Sequence, residues 1–172
     1  MDQPGVFEIR RADTSDAESI AAAHLDSIRS IGPHYYEPAI VQDWGAHVEA
    51  GLYLRAMRRG ESFFVAIDPR DDAALTVLGF SSHGRYGNDH GVGVYVRGSA
   101  ARRGVGSALL RAAEADAITS HASSLEIDAS LAAVDFYKRH GFIETGRGSH
   151  PLPSGRSMSC VFMKKHLLLR TS

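Results

Sequence analysis

The segment Gly91–Leu110 constrains the fold more than any other part of the sequence. Alternating valines predict one face of a β-strand at Val92–Val96, and apolar residues at helical spacing follow at Leu109–Ala117. Between the two patterns lies the turn Gly104–Gly106, preceded by the basic pair Arg102–Arg103. Glycines let backbone N–H groups approach a ligand closely, and the unpaired N–H groups at a helix start favour an anion. The segment therefore predicts a strand, a basic glycine-rich turn and a helix that can hold phosphate.

Length and composition predict one globular domain spanning residues 1–172, because the chain is 44% hydrophobic and has no second compositional region. The net charge of −1 argues against a nucleic-acid or anionic-membrane partner, which would favour a large basic surplus. Cys160 is the only cysteine and the nine histidines lack metal-ligand spacing, so neither a disulfide nor a metal site is expected. The N-terminus lacks a secretory signal and no apolar run is long enough to span a bilayer. We therefore expect a soluble, cytoplasmic protein.

The remaining patterns predict an α/β fold with a mixed central sheet and helices on both faces. Further strands are predicted at Phe7–Arg10, Ser62–Ile67, Leu75–Phe80, Ser124–Asp128, Phe142–Glu144 and Met158–Met163. Helices are predicted after the capping pattern Ser15–Glu18, after Glu37-Pro38, at Leu52–Met57 and at Leu131–His140. A hairpin loop is expected at 69–72, and a second loop is expected at 149–157, between the last two strands. The strand at 124–128 should run parallel to that at 92–96, because a helix connects them.

Two common phosphate-binding motifs do not match the glycine turn. A P-loop ends in Gly-Lys-Ser/Thr, whereas Gly106 is followed by Ser107 and Ala108. A dinucleotide fingerprint has a third glycine where this chain has Leu109. The turn alone therefore leaves two interpretations open, a phosphate cradle or a tight strand-to-helix connection.

A second motif, Ser130 to Phe142, reads Ser-x-x-Ala-x-x-Phe-Tyr-x-x-x-Gly-Phe. Together with the turn at 102–107 it resembles the GNAT superfamily of acetyl-CoA-dependent N-acetyltransferases, whose pyrophosphate motif is Gln/Arg-x-x-Gly-x-Gly/Ala. The resemblance is strongest from about Val92 to Phe142. It implies a mostly antiparallel sheet in which one parallel pair of strands splays apart. Ala101 departs from the pattern, since the family usually has Gln or Arg there.

The resemblance implies acetyl-CoA as co-substrate and assigns residues to it. The residues implied in binding it are Val94, Tyr95, Val96, Arg102, Arg103, Gly104, Val105, Gly106, Ser107, Ser130 and Phe136. Within this set, a backbone N–H of Val94 or Val96 would polarise the acetyl carbonyl, and the turn would hold the pyrophosphate.

Two catalytic residues are predicted on the same basis. Tyr137 is the expected general acid, because a phenol with a pKa of about 10 stays protonated at neutral pH; the alternative is a core aromatic. His90 is the expected general base, with Glu126, Asp89 and His83 as alternatives. The non-catalytic interpretation is that His90 belongs to a solvated segment at the start of the strand. Cys160 is expected to be a small buried hydrophobe.

The acceptor site is predicted around Tyr35, Tyr36 and Trp44; the alternative interpretation of Trp44 is the centre of an amphipathic helix. The predicted reaction moves acetyl from acetyl-CoA to a primary amine of a small molecule, by direct attack in a ternary complex. Acetylation of a protein N-terminus or lysine, and a non-catalytic acyl-CoA-binding regulatory module, are the alternatives. The apolar segment Cys160–Met163 fits either a homodimer contact or a central strand.

Overall fold

The computed structural model describes residues 6–71 and 76–168. The strands are β1 Glu8–Arg11, β2 Ser62–Ile67, β3 Val77–Tyr86, β4 Asp89–Val96, β5 Ser124–Ser130, β6 Ile143–Pro151 and β7 Ser157–His166. The helices are α1 Ala17–Ile31, α2 Pro38–Gly45, α3 Ala50–Arg58, α4 Val105–Thr119 and α5 Val134–Arg139.

In the described chain the strands form one sheet in the order β1-β2-β3-β4-β5-β7-β6. All neighbours are antiparallel except β4 and β5, whose one recorded register pair is Gly91 with Glu126. Helices cover both faces: α1 and α3 pack on one side of β2 and β3, and α4 packs on the other. The predicted mixed, mostly antiparallel sheet with one splayed parallel pair is confirmed.

The strand β7 lies inside the sheet, between β5 and β6. Cys160, Val161 and Met163 are each 1–2% exposed within it. The two interpretations of this segment are thereby resolved in favour of an interior strand, because neither edge of β7 is open for pairing with a second chain.

Two local predictions were wrong in their bounds. The strand predicted to end at Phe80 continues to Tyr86, because residues 81–86 pair with β4; the buried Ser81 also donates its hydroxyl to the Leu109 carbonyl at 2.8 Å. The loop expected at 149–157 is shorter, since β6 pairs with β7 as far as Pro151 and Ser157. The first predicted strand position of β3, Leu75, lies outside the described residues.

The N-terminal capping box is also displaced from the predicted Ser15–Glu18. Asp13 is the capping residue: its carboxylate accepts the Ser15 N–H, and its own N–H donates to the Asp16 carboxylate at 2.9 Å. Asp16 in turn accepts two hydrogen bonds from Arg10, each of 2.8 Å. The cap therefore lies two residues before the predicted Ser15, and the Asp16 carboxylate accepts hydrogen bonds both from the cap and from Arg10 on β1.

In the part of the chain that the structure describes, no helix has the length and apolar character required to cross a membrane. The same residues contain no group of three or more His, Cys, Asp or Glu side chains arranged to hold a metal ion.

Candidate active site

A cavity of about 500 Å³ opens where β4 and β5 diverge beyond Gly91 and Glu126. Its lining comes mainly from these two strands, with contributions from α2, α5 and the β6–β7 hairpin. A volume of about 300–1,000 Å³ is typical of small-molecule sites. On one side, β4 pairs with β3, where Val94 lies opposite Ser81. On the other side, the splay leaves the backbone groups of β4 that face β5 without strand partners. The gap between the strands is therefore the candidate active site.

Of the β4 residues predicted to bind acetyl-CoA, two line the cavity and one does not. Val94 and Tyr95 line the cavity, as does Ser130 at the end of β5. Val96 lies beyond the cavity and packs with the apolar cluster under the start of α4. Its side chain is close to Gly106, where a Cβ would lie 3.5 Å from Val96 Cγ2.

The start of α4 has the features of an anion cradle. The first intrahelical bond runs from the Ala108 N–H to the Gly104 carbonyl at 3.1 Å, so the three preceding helical N–H groups lie before the hydrogen-bond ladder. Gly104 has φ +80°, and no atom lies within 4 Å of the position its Cβ would take. Arg102 also has a left-handed backbone, with φ 59°. This open, N–H-rich turn fits a phosphate group.

Phe136 connects the cradle to the second motif. A Cβ on Gly106 would lie 3.2 Å from the Phe136 ring, closer than an ordinary van der Waals contact, so Gly106 favours the close packing of α5 on α4. One turn further, His140 bonds the Phe136 carbonyl through Nδ1 at 2.8 Å and the Ser107 hydroxyl through Nε2 at 2.9 Å. The two predicted motifs therefore meet in space.

Tyr137 lies in the wall of the cavity and is 2% exposed. Its ring packs edge-on against Phe136 and Phe142, with centroids 5.1 Å away in each case. Burial raises the pKa of its phenol well above the ordinary value, and the neighbouring Tyr95 acts in the same direction, while the Val94 N–H acts against them. Tyr137 is thus a core aromatic that also offers a protonated hydroxyl to the site.

The structure does not bring His90 together with Tyr137. The Nδ1–H of His90 donates to His83 Nε2 at 2.8 Å. The Nδ1–H of His83 in turn donates to Asp116 on α4 at 2.7 Å. Burial, followed by the neighbouring His83, lowers the pKa of His90. His90 is not among the described residues that line the cavity, and its ring is bonded instead to His83, which leads to Asp116 on α4.

The carboxylate and histidine side chains that line the cavity come instead from β5 and β6. Glu126 and Asp128 line it, and so does His150. The His150 Nδ1 lies 3.3 Å from Asp128, while Glu126 pairs with Lys164 at 3.0 Å. Sequence reasoning considered Glu126 but missed the other two. The alternation of Glu126, Asp128 and Ser130 was a usable signal, whereas His150 fell in a predicted loop.

A roof over the cavity is formed by α2 and the preceding turn. Trp44 lines the cavity, and the Tyr36 ring packs on it edge-on at 5.9 Å. The Tyr36 hydroxyl donates to the Ser159 carbonyl at 2.7 Å and accepts the Leu131 N–H at 2.8 Å. Tyr35, also predicted for the acceptor site, is 50% exposed and lies outside the described lining.

A second connection holds the same roof. Asp43 is 7% exposed, and its carboxylate accepts the Ser154 hydroxyl and the Ser154 N–H, the latter at 3.2 Å. Tyr36 and Asp43 thus join the α2 region to the β6–β7 hairpin. The α2 region is therefore held to the β6–β7 hairpin at two points, Tyr36 and Asp43, and it covers the cavity between them.

Comparisons with known proteins agree with this architecture. Residues 34–150 match the profile of the Acetyltransferase (GNAT) domain family. A comparison with curated protein sequences finds no match.

Solved structures of similar fold include a GCN5-related N-acetyltransferase from Rhodopseudomonas palustris, with 24% identity, TM-score 0.79, and coverage of 93% of this chain and 95% of that one. The paia N-acetyltransferase of Thermoplasma acidophilum, in complex with coenzyme A, has 18% identity, TM-score 0.75 and coverage of 94% and 99%. The ribosomal-protein-alanine N-acetyltransferase of Brucella melitensis has 24% identity, TM-score 0.69 and coverage of 93% and 99%. At these identities the likeness concerns the fold. The family profile spans well over half of the chain, and the chain therefore belongs to the GNAT acetyltransferase family and is an acetyl-CoA-dependent acetyltransferase.

Proposed function

We propose that the enzyme acetylates a primary amine of a small molecule by direct attack in a ternary complex. The observation that carries this proposal is the cavity of about 500 Å³, which contains the Tyr137 phenol and lies under a roof anchored by Tyr36 and Asp43. A polypeptide acceptor would require an open groove across the same surface. The anchored roof therefore supports a small acceptor.

The donor site is assigned to the residues that fit its phosphates and its pantetheine arm. The cradle at Gly104–Ser107 would hold the pyrophosphate through backbone N–H groups, with Arg102 and Arg103 supplying positive charge. The unpaired edge of Val94–Val96 would bind the pantetheine amides as an added strand, beside Ser130 and Phe136. When bound, acetyl-CoA supplies the activated acyl group, and Ala101 leaves the backbone cradle intact because the cradle does not depend on that side chain.

Acetyl transfer forms an N–C bond and breaks the C–S bond, so one proton must leave the amine and one must reach sulfur. Tyr137 is assigned as the proton donor to sulfur, because its raised pKa keeps the phenol protonated across the neutral range. A β4 backbone N–H, that of Val94 in our assignment, would donate to the acetyl oxygen as charge develops there.

The proton of the amine has two candidate acceptors. Asp128, with His150 at 3.3 Å, lies in the cavity lining and could take the proton directly or through water. His90 was predicted from the sequence but sits in the chain formed by His83 and Asp116. Comparing the pH–rate profiles of Asp128→Asn and His90→Ala separates the two, since only loss of the base removes the acidic limb of kcat/KM.

The experiment that tests the function measures CoA release by purified enzyme against a panel of small amines and peptides, with mass detection of the acetylated product. Release with small amines is expected. Release with peptides alone would identify a protein acetyltransferase, and tight acetyl-CoA binding without release would favour a regulatory module.

A donor-site variant makes the assay specific. Gly106→Glu should weaken acetyl-CoA binding, because its side chain would meet the Phe136 ring and place a carboxylate in the cradle. Unchanged affinity in calorimetry would refute the assignment of the cradle to the donor.

A further inference from the structure

His140 is bonded through both nitrogens of its ring, and both partners are uncharged. Nδ1 lies 2.8 Å from the Phe136 carbonyl and Nε2 lies 2.9 Å from the Ser107 hydroxyl. The ring is half-buried and packs on the Phe136 ring with centroids 4.5 Å apart. Ser107 is the third residue of α4, so its hydroxyl stands at the anion cradle.

The carbonyl of Phe136 determines which tautomer is present. A carbonyl oxygen only accepts, so His140 Nδ1 carries a hydrogen. In the neutral ring Nε2 is then an acceptor, and the Ser107 hydroxyl must donate to it. In that state the Ser107 oxygen has no hydrogen left for a ligand, and it presents lone pairs to the cradle.

Protonation of His140 reverses the second bond. With a hydrogen on Nε2, the ring donates to Ser107, and the Ser107 hydroxyl becomes free to donate elsewhere. A phosphate oxygen is an acceptor, and hydrogen bonds to ionised groups are the strong ones. A phosphate beside Ser107 therefore favours the protonated ring, through the freed hydroxyl and through the positive charge behind it.

We propose that His140 is a positioning residue that couples binding of the donor's phosphates to the uptake of a proton. The proposal rests on the proposed donor site at the start of α4. The relay consists of the Phe136 carbonyl, the His140 ring and the Ser107 hydroxyl. The only property of the donor that it requires is a phosphate group beside Ser107. Because a proton is taken up on binding, donor affinity must fall as pH rises.

Other charged groups on the surrounding elements do not bond His140 in the described residues. They are Arg103 and Arg111 around the start of α4, Glu114, Asp135, Lys138 and Arg139 on α4 and α5, and Glu126, Asp128 and Glu144 on β5 and β6. The carboxylates among them have partners of their own: Glu114 binds Lys165 at 2.6 Å, Glu126 binds Lys164 and Glu144 binds Arg147 at 2.7 Å. Asp128 lies beside His150, and Asp135 is exposed. The arriving phosphate is thus the negative charge to which the relay responds.

The test is titration calorimetry of CoA at pH 7.5 in buffers of different ionisation enthalpy, which counts protons exchanged on binding. We expect net proton uptake when the wild-type enzyme binds CoA. Because one group takes up the proton, the affinity should fall with rising pH by at most about tenfold per pH unit. Pantetheine, which lacks the phosphates, should bind without uptake.

His140→Gln should abolish the uptake and flatten the pH dependence, while keeping a side chain that can bond Ser107. The matched control is His47→Gln, which removes an exposed histidine between α2 and α3 and should leave the uptake unchanged. Ser107→Ala tests the relay independently, should His140→Gln fold poorly, and is expected to reduce both uptake and CoA affinity.

Three outcomes would overturn the proposal. They are CoA binding by the wild type without proton uptake, equal uptake in the wild type and His140→Gln, and equal uptake with pantetheine. Each of these requires that CoA binds, so they leave the proposed function standing. Absence of any CoA binding would instead refute the proposed donor site, and the relay with it.

Discussion

Replacing Tyr137 by Phe isolates the role of one hydroxyl. The ring is 2% exposed and packs edge-on against Phe136 and Phe142, and Phe keeps both contacts. Folding should therefore lose only the contribution of one hydroxyl, about 1 kcal/mol. Loss of a general acid typically reduces the rate by about 10²–10⁴-fold, which corresponds to about 3–5 kcal/mol of transition-state stabilisation. The catalytic effect should thus clearly exceed the effect on stability.

The assay compares kcat, the affinity for acetyl-CoA and the free energy of unfolding in both proteins. We expect kcat to fall at least about 100-fold with acetyl-CoA affinity nearly unchanged. Tyr53→Phe is the matched control, since it removes a buried phenol hydroxyl, bonded to His24 at 2.6 Å, outside the described cavity lining. A Tyr137→Phe enzyme with kcat within about threefold of wild type would show that Tyr137 is a packing residue, because threefold is far below what a general acid contributes.

Three further perturbations test the turn, the roof and the N-terminal cap. Arg102→Gly should raise the free energy of unfolding in urea by about 0.5–1 kcal/mol, because relief of the left-handed backbone at φ 59° outweighs the added chain entropy; a lower stability would contradict this. Asp43→Asn weakens the bonds to Ser154, so KM for the acceptor should rise while acetyl-CoA affinity stays constant, and equal KM values would show that the roof does not shape the acceptor site. Asp16→Asn should cost about 2 kcal/mol at pH 7. The hydrogen bonds from Arg10 lower the pKa of Asp16. The stabilisation by Asp16 is therefore fully present above the unfolded carboxyl pKa of about 3.9 and is lost as pH falls through the lower pKa of the folded state. The difference in unfolding free energy between wild type and variant, measured by denaturation from pH 7 to pH 2, should vanish in acid.

Short-range features of the site could be predicted because they depend on adjacent residues. Gly104 and Gly106 marked the change from strand to helix spacing, and the Phe136–Tyr137 pair belonged to a motif of fixed spacing. Both features were found where the sequence placed them: the glycines at the start of α4 and Tyr137 in the cavity wall.

His90 illustrates why the rest of the site was harder to predict. Four residues along a strand place His90 on the same face as Val94, but Val94 lines the cavity whereas His90 is bonded to His83, and His83 to Asp116 on α4. The bond from His83 to Asp116 joins residues 33 positions apart, so no local pattern records it. His150 was missed for a related reason, because only pairing with β7 made its segment a strand.

By itself, the sequence determined the order of the elements, the glycine-rich turn from strand to helix and the motif that identifies the family, since periodicity, glycine positions and motif spacing are properties of neighbouring residues. The tertiary structure alone decided which side chains share the cavity, the anchoring of its roof through Tyr36 and Asp43, and the contact between His140 and Ser107. Those contacts join residues 33 to 123 positions apart. They exist only because the splay of β4 from β5 and the packing of α5 on α4 bring distant segments within hydrogen-bond reach.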